Sequence, residues 1–379
     1  MEIDNGKIVA AVDIGAGRGA KIEIAKVVKS KIIVLGESLY LQKNYGNSAK
    51  SFFSGLVKSL KNLASCIDVK LNHVCSLGID LPGFLDANQN IQKCVNLPFL
   101  NGSNLRSPIE DSLGVPVNLI NDGNSGALAE WSVWKKELVY WAFGGGWGGS
   151  WISDRGDIKF PTTRWSGNDQ DIHISDEPGY KAGISKDQAA LIFNNHGLSF
   201  DKYLNSLASE LSIKRKDLRG PYGQPDSLRA EVFVSGQGLW RIFQSVITDE
   251  HFSTYSNIEQ RVLQSSDTAG PMISQLYDKG DDYAKLTFQL MSHFFEVSAL
   301  AILTQLIKEG AREDIPIFLG GGMANAFARF TPLAQQTIHK SGYNSVLQKS
   351  HFLELGQNAN LIGAIWLAMQ HSPQKGKHF

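Results

Sequence analysis

Asp13-Ile14-Gly15-Ala16-Gly17-Arg18-Gly19 joins two extended stretches near the start of the chain. The preceding run, Ile8 to Val12, is continuously apolar, and Lys21 to Val27 alternates, so both predict strands. Glycines without side chains let backbone N–H groups converge on anionic oxygens, and an acidic residue beside them can hold Mg²⁺ through water. The alternative is an ordinary hairpin turn with a solvated Asp13, because one glycine-rich turn is a weak indicator.

The same arrangement, a strand followed by glycines, recurs twice more. Leu138 to Phe143 predicts a strand and precedes Gly144-Gly145-Gly146-Trp147-Gly148-Gly149. Ile315 to Leu319 predicts another and precedes Gly320-Gly321-Gly322, which open a predicted helix. Such loops cost conformational entropy, so close approach of a ligand is the usual reason for them, and helix N-termini favour anions. Three such segments in one chain are far harder to explain by chance than one.

A candidate catalytic carboxylate follows another predicted strand. Val117 to Ile120 leads into Asn121-Asp122-Gly123-Asn124, and a helix follows through Trp134. A carboxylate at that point lies at an edge of the sheet, where ligand crevices form. The alternative role for Asp122 is a helix N-cap, which Asp fills well. The amides of Asn121 and Asn124 suit a hydroxyl-rich ligand, since an amide both donates and accepts.

Alternating strand and helix patterns predict an α/β chain of two domains. The predicted N-terminal domain is residues 1–135, joined by a closing helix at 356–372, and a larger domain spans 136–355. The segment Asp154 to Ser235 is the least regular and predicts an active-site loop or an insertion. Hydrophobic spacing further predicts helices at 48–67, 105–113, 186–195, 238–247, 283–308 and 358–370, and strands at 31–41, 74–79, 151–158 and 351–355.

Composition narrows the functional class. Lys plus Arg and Asp plus Glu are both 37, so net charge gives no electrostatic reason to expect nucleic acid or a membrane surface as a partner. The three cysteines lack the spacing of a zinc or redox motif and favour a reducing cytoplasm. The N-terminus lacks the features of a signal peptide. No apolar segment of membrane-spanning length is expected.

The ordered set of motifs resembles bacterial glucokinases and the ROK family of sugar kinases over nearly the whole chain, though weakly between Ser150 and Ala230. The segment 78–86 followed by Asn96-Leu97-Pro98 looks particularly like ROK proteins, and Val234 to Leu239 is similar to a glucokinase segment. The motifs that carry the resemblance are Asp13 to Arg18, Ile79 to Asp86, Asn96 to Pro98, Asn121 to Glu130, Phe143 to Gly149, Leu319 to Gly322 and Gly356 to Met369.

The resemblance implies the two-domain actin-like (ribonuclease H-like) fold, ATP with Mg²⁺, and a sugar in an interdomain cleft. The resemblance implies that Asp122 is the catalytic base and that Asp13 lies beside the metal. The cofactor-binding residues it implies are Asp13, Gly15, Ala16, Gly17, Arg18, Gly144, Gly145, Gly146, Gly148, Gly320, Gly321 and Gly322. The sugar-binding residues predicted with it are Gly83, Asn96, Asn121, Asn124, Asn168, Asp169 and Asp171. A homodimer is expected from the resemblance alone.

Several positions depart from the family pattern. The first loop of the family usually reads Asp-x-Gly-Gly-Thr, but Ala16 and Gly17 stand at its last two positions, so the Thr is missing. The second loop also lacks the Thr that the family has there. The Gly-Glu-x-Gly-His sugar clamp has two imperfect counterparts, Gly167 to His173 and Asp176 to Gly179. The ROK zinc motif has no counterpart, so His173 is expected to be a surface-loop histidine instead of a zinc ligand.

These departures from the family pattern are also compatible with two other functions. A non-catalytic sugar- or nucleotide-binding protein of the same fold would tolerate the missing Thr residues and the altered clamp. An ATPase or an acyl-phosphate-forming enzyme on the same scaffold is a second rival. A ROK-type repressor is disfavoured, because no helix-turn-helix pattern precedes Ile8.

Overall fold

The structure, a computed structural model, describes residues 6–15, 19–94, 96–160, 171–247, 262 and 266–370. The described residues divide into two compact units. Unit 1 lies within Met1–Glu137, Trp151–Asp171 and Glu354–Phe379, and unit 2 lies within Leu138–Ser150 and Ile172–Leu353.

Unit 1 is built on a mixed five-stranded sheet with the order β3-β2-β1-β4-β7. Its first three strands form an antiparallel meander, and β1, β4 and β7 run parallel. The parallel strands therefore bring their carboxyl ends to one edge. The strands of this unit are β1 (Lys7–Ile14), β2 (Gly19–Val28), β3 (Lys31–Leu41), β4 (Val74–Leu81), β5 (Phe84–Leu85), β6 (Ile91–Lys93) and β7 (Val117–Asn121).

One face of this sheet is covered by the helix Ala49–Cys66. Ser48 caps its N-terminus by accepting a hydrogen bond from the backbone N–H of Ser51. Phe52, Leu56 and Leu60 recur at helical spacing and are buried, as predicted. The short helix Arg106–Leu113 ends at Gly114, whose left-handed conformation closes the last turn.

The other face carries two helices, Asp122–Trp134 and Ala359–Gln370, which pack on each other. A Cβ at Gly363 would lie 1.9 Å from the carbonyl oxygen of Ser125, so only glycine allows this approach. A Cβ at Gly78 would lie 2.0 Å from the carbonyl oxygen of Ala364, which fixes the closing helix against β4. This tight packing places the N-termini of both helices at the carboxyl ends of the parallel strands.

Unit 2 is built on a four-stranded sheet with the order β13-β12-β8-β9, in which β8, β12 and β13 are parallel. Its aromatic core gathers Trp141, Phe143, Trp147 and Phe295, with ring centroids 4.9 to 6.0 Å apart. The remaining strands are β8 (Leu138–Phe143), β9 (Trp147–Ile152), β10 (Gly183–Ser185), β11 (Ser227–Arg229), β12 (Ile317–Gly320) and β13 (Leu347–Lys349). Its helices include Pro178–Lys181, Lys186–Asn194, Phe200–Glu210, Gly236–Val246, Ser266–Asp278, Asp282–Lys308, Phe327–Phe330, Pro332–Lys340 and His351–Glu354.

Two predictions about these elements are wrong. The strand expected from Trp151 begins at Trp147, so Gly148 and Gly149 belong to a strand, and the glycine turn is only Gly144 to Gly146. Residues 351–354 form a helix, and the strand is the preceding Leu347–Lys349, because period-2 alternation is ambiguous over so few residues. The segment 154–235, predicted to be the least regular, contains the helix Lys186–Asn194, which was predicted, and the helix Phe200–Glu210, which was not.

The helix Asp282–Lys308 also departs from expectation. Its 27 residues are long and apolar enough to cross a membrane by length and composition, although no such segment was predicted. A core helix passes the same test, and Phe288, Phe294 and Leu303 on this helix are buried inside unit 2. Its apolar composition is therefore accounted for by packing within the protein.

Candidate functional site

Three aspartates lie at the carboxyl ends of the parallel strands of unit 1. Asp13 is the penultimate residue of β1, and it is the register partner of Asp80 on β4. Asp122 follows the last residue of β7 and is the first residue of its helix. The charges of Asp13 and Asp122 both act on Asp80, so the three carboxyl groups form one electrostatic cluster. This edge of the sheet is where open α/β folds bind ligands.

The helix after β7 is capped by Asn121 and not by Asp122. The side-chain oxygen of Asn121 accepts hydrogen bonds from the backbone N–H groups of Gly123 (2.9 Å) and Asn124 (3.3 Å). Its Nδ2 donates to the carbonyl oxygen of Gly83 at 3.2 Å. Asp122 is therefore not required as the N-cap, the alternative role that its sequence position allowed. The carboxylate of Asp122 accepts a hydrogen bond from the N–H of Gly123 at 2.9 Å.

The environment of Asp122 raises its pKa to about 6. Burial is the largest cause, and the negative charge of Asp13 adds to it, whereas hydrogen bonds from the backbone oppose both. A general base works best when its pKa lies near the operating pH. Asp122 is therefore ionised at neutral pH and more basic than an ordinary aspartate.

Asp80 is completely buried between the other two aspartates. Burial, followed by the charges of Asp13 and Asp122, raises the pKa of Asp80 well above its usual range. Asp13 is part-buried, and its Oδ2 accepts a 2.6 Å hydrogen bond from Nδ2 of Asn358. The ammonium group of Lys21 lies 3.9 Å from the same oxygen. Sequence reasoning missed Asp80, Lys21 and Asn358, since the folded sheet and the closing helix bring them to Asp13.

The residues present fit a magnesium ion that accompanies a nucleotide. Among the described residues, no group of three or more His, Cys, Asp or Glu side chains is arranged to hold a metal. Mg²⁺ does not need such a cage, because it binds one or two carboxylates, waters and substrate phosphates. The carboxylate of Asp13, with 15% of its side chain exposed, is the oxygen ligand available for it.

Part of the first glycine turn lies outside the described residues. The N–H of Gly15 donates to the carbonyl oxygen of Gly19 at 3.3 Å, which closes the hairpin. The hydroxyl of Tyr45 donates to the carbonyl oxygen of Gly15 at 3.0 Å. Ala16, Gly17 and Arg18 are not among the described residues, so their contacts with a nucleotide stay predictions.

The second and third glycine segments meet in unit 2. The N–H of Gly144 donates to the carbonyl oxygen of Gly146 at 3.0 Å, which makes a tight turn between β8 and β9. Gly321 has a φ of +82°, and a Cβ there would lie 2.2 Å from the carbonyl oxygen of Phe143. The sequence predicted both turns, but only the folded sheet shows that they touch.

A third element joins these glycines. The N–H of Gly236, at the start of the helix Gly236–Val246, donates to the carbonyl oxygen of Gly144 at 2.9 Å. Ser235 caps that helix by accepting from Gly238 N–H at 2.9 Å. The N-terminus of this helix, which favours anions, therefore lies beside the second glycine turn. The sequence indicates Ser235 and Gly236 only as part of the glucokinase resemblance and does not predict them as site residues.

The second clamp candidate lies beside the same turn. Pro178 and Gly179 begin the short helix Pro178–Lys181, and a Cβ at Gly179 would lie 2.6 Å from Cβ of Trp147. Glu231 also contacts this turn, with Oε2 2.9 Å from where a Cβ of Gly146 would be. Most of the first candidate, residues 167–170, lies outside the described residues.

The predicted sugar residues are only partly described. Asn124 is 2% exposed, and its Oδ1 has no hydrogen-bond partner in the described part of the chain. Asn96 and Asp171 are exposed. Gly83 packs against the carbonyl oxygen of Lys93. Asn168 and Asp169 are outside the described residues, so the contacts of this group with a sugar stay predictions.

His173 is not the surface-loop histidine that we expected. Its Nδ1 hydrogen-bonds to the hydroxyl of Ser175 at 2.7 Å, and its Nε2 to the carboxylate of Glu309 at 2.6 Å. Burial lowers the pKa of His173, and the charge of Glu309 opposes this. Ser175 is fully buried, so His173, Ser175 and Glu309 form a hydrogen-bonded structural cluster within unit 2.

Comparison with known proteins finds relatives for the N-terminal part of the chain. Residues 9–157 match the ROK family. An N-acetyl-D-glucosamine kinase from Vibrio parahaemolyticus is 32% identical over 105 residues, which cover 26% of this chain and 34% of the relative. The chain thus aligns with about a third of that relative's length. The predicted resemblance to the ROK family is confirmed over residues 9–157.

Solved ROK structures confirm the α/β, actin-like fold. A ROK family glucokinase from Streptomyces griseus, in complex with glucose and AMPPNP, has a TM-score of 0.60 at 19% identity, with 96% of this chain and 99% of that chain covered. A ROK family transcriptional regulator, described as a homologue of the E. coli MLC protein, has a TM-score of 0.65 at 17% identity, with coverages of 95% and 79%. Similarity at these identities establishes the fold and leaves the activity open.

Proposed function

We propose that this ROK domain protein is an ATP-dependent sugar kinase in which Asp122 is the general base. The observation that carries the proposal is the state of Asp122: an ionised carboxylate with a pKa of about 6, at the carboxyl edge of the sheet, beside Asp13. A carboxylate that served only as a helix cap would not need this environment, and Asn121 already provides the cap.

In the proposed reaction, an oxygen of Asp122 accepts the proton of a sugar hydroxyl as that hydroxyl oxygen attacks the γ-phosphorus of ATP. The bond from the γ-phosphorus to the bridging oxygen breaks, and ADP leaves. Positioning and electrostatic stabilisation supply most of the acceleration. Asp13 would hold the Mg²⁺, which when bound neutralises charge on the phosphates. The turn Gly144 to Gly146 and the N-terminus of the helix Gly236–Val246 would accept phosphate oxygens through backbone N–H groups other than those of Gly144, Gly236 and Gly238, which are bonded within the protein.

A hexose or a hexose derivative is the proposed acceptor. The curated relative that aligns with part of this chain is named an N-acetyl-D-glucosamine kinase, and a solved structure of the same fold contains glucose. Both sugars offer several hydroxyl groups to amides such as that of Asn124, whose buried Oδ1 lacks a partner among the described residues. Such an enzyme would act in the cytoplasm, where ATP is available.

A second candidate is a sugar- or nucleotide-binding protein without catalysis. The similarity to a ROK family transcriptional regulator supports it, because the same fold occurs in a protein described as a regulator. The missing Thr in both phosphate loops supports it as well. In this case Asp122 would contribute to ligand binding but not to turnover.

An ATP-coupled assay with a panel of hexoses, N-acetylhexosamines, pentoses and polyols separates the candidates. The proposed kinase forms ADP only when a sugar is present, and Asp122→Asn abolishes this activity. Asp111→Asn is the matched control, since it neutralises an exposed aspartate in the same unit. Sugar binding by calorimetry without turnover would favour the second candidate. ATP hydrolysis that does not depend on sugar would favour an ATPase instead.

A further inference from the structure

Tyr45 contacts the first glycine turn of unit 1 from outside that turn. Its hydroxyl donates a 3.0 Å hydrogen bond to the carbonyl oxygen of Gly15, a residue 30 positions earlier in the chain. Only 2% of Tyr45 is exposed. A buried tyrosine hydroxyl usually has a partner, so the consequence of this bond depends on the part of the turn that it holds.

The Tyr45 side chain is itself fixed by its neighbours. Its ring lies in an aromatic cluster, with ring centroids 4.7 Å from Phe52 and 5.2 Å from Tyr40. Its backbone N–H donates to the carbonyl oxygen of Gln42 at 2.9 Å. A ring packed this closely keeps one orientation, so the hydroxyl is held towards Gly15.

The other end of the turn contacts the same segment of chain. Gly19 has a φ of +136°, and a Cβ there would collide with the carbonyl oxygen of Tyr40. The N–H of Gly15 donates to the carbonyl oxygen of Gly19 at 3.3 Å, so the two ends of the turn are also joined to each other. Residues 40–45 therefore support both ends, Gly19 by backbone contact and Gly15 through the Tyr45 hydroxyl.

Support at Gly15 matters because this turn follows Asp13 and is a proposed phosphate site. Glycine has more backbone freedom than any other residue, so a turn rich in glycine loses more conformational entropy when it becomes ordered. A site that is already ordered before its ligand arrives binds more tightly, because less ordering is needed on binding. The Tyr45 hydroxyl supplies such order two residues after Asp13.

We propose that Tyr45 is a positioning residue for nucleotide binding. Its hydroxyl holds the carbonyl group of Gly15, so that the first glycine turn is ordered before the phosphates of the nucleotide arrive. Tyr45 acts through Gly15 and does not itself touch the nucleotide. The inference rests on the proposed use of ATP.

Two tyrosine-to-phenylalanine variants separate positioning from packing. Tyr45→Phe removes the hydroxyl and keeps the ring, so this variant is expected to fold. Tyr40→Phe is the matched control, because Tyr40 lies in the same aromatic cluster but donates its hydroxyl to the carbonyl oxygen of Asn44, at 2.7 Å. Each variant loses one hydroxyl–carbonyl hydrogen bond, so both should lower the melting temperature by a similar amount in thermal unfolding.

Calorimetric titration with a non-hydrolysable ATP analogue and Mg²⁺ measures the effect on nucleotide binding. Tyr45→Phe is expected to weaken the affinity by about 3- to 10-fold, which corresponds to the loss of one neutral hydrogen bond. Tyr40→Phe is expected to stay within about twofold of the unaltered protein. Unchanged affinity in Tyr45→Phe would show that its hydroxyl serves the core alone and would overturn the inference. Equal weakening in both variants would overturn it as well, since a loosened aromatic cluster would then be the cause.

The same measurements separate this inference from the proposed function. Nucleotide affinity that depends on the Tyr45 hydroxyl, in a protein that phosphorylates no sugar, supports the inference and removes the kinase. Sugar phosphorylation with unchanged nucleotide affinity in Tyr45→Phe removes the inference and leaves the kinase. A failure of the unaltered protein to bind the ATP analogue contradicts both.

Discussion

Replacing Asp122 with Asn should stabilise the protein and remove its activity. Asn keeps the size of the side chain and an oxygen that can accept from the N–H of Gly123. It removes the negative charge that burial and Asp13 disfavour. The two effects have one cause, since the environment that makes Asp122 a better base also makes its ionised form unfavourable.

The magnitude follows from the pKa of Asp122, which rises from 3.8 to about 6 on folding. Each pKa unit corresponds to about 1.4 kcal/mol, so the ionised form costs the folded state up to about 3 kcal/mol. Because the folded pKa is the higher one, this cost is complete above pH 6 and falls away as the pH drops towards 4. Asp122→Asn should therefore raise the free energy of unfolding by as much as about 3 kcal/mol at pH 8, and by little at pH 4.

Urea unfolding at pH 8 and pH 4 measures the stability change, and the ATP-coupled assay measures turnover. Loss of a general base should lower kcat by roughly 10²- to 10⁴-fold. Asp111→Asn should change neither quantity, because Asp111 is exposed. Equal stability of Asp122→Asn and the unaltered protein at both pH values would refute the argument from burial. Turnover within tenfold of the unaltered protein would refute the assignment of Asp122 as the base.

Three further predictions concern different parts of the molecule. The kcat/KM of the proposed kinase reaction should fall as the pH drops below about 6, because protonated Asp122 cannot accept a proton. A pH–rate profile that is flat to pH 5 would contradict this. Arg241→Ala should lower the free energy of unfolding by about 1.5 to 3 kcal/mol in urea unfolding, since it removes the hydrogen bonds between the buried guanidinium and the carboxylate of Glu210, 2.5 Å away; an unchanged free energy of unfolding would contradict this. Gly321→Ala should raise the KM for ATP and lower the melting temperature, because its Cβ would collide with Phe143; unchanged values would show that this turn can move.

The sequence alone determined the type of fold and the local features of the candidate site. Periodicity placed β3 and β8 at their observed bounds, and it found the helix Ala49–Cys66 within a residue at each end. The glycine turns and Asp122 could be proposed as site residues from the sequence because their chemistry is local: a tight turn, or a carboxylate between a strand and a helix, depends on a few consecutive residues. The order of these motifs indicated the ROK resemblance.

Only the tertiary structure decided which distant residues meet. Asp13 contacts Asp80 through strand pairing and Asn358 through the packing of a helix from the other end of the chain. It also decided that Asn121 caps the helix, which leaves Asp122 for another role. The reason is physical: hydrogen bonds between residues far apart in sequence, and the burial that shifts a pKa, depend on how the sheet and helices pack. No local pattern in the sequence records that packing.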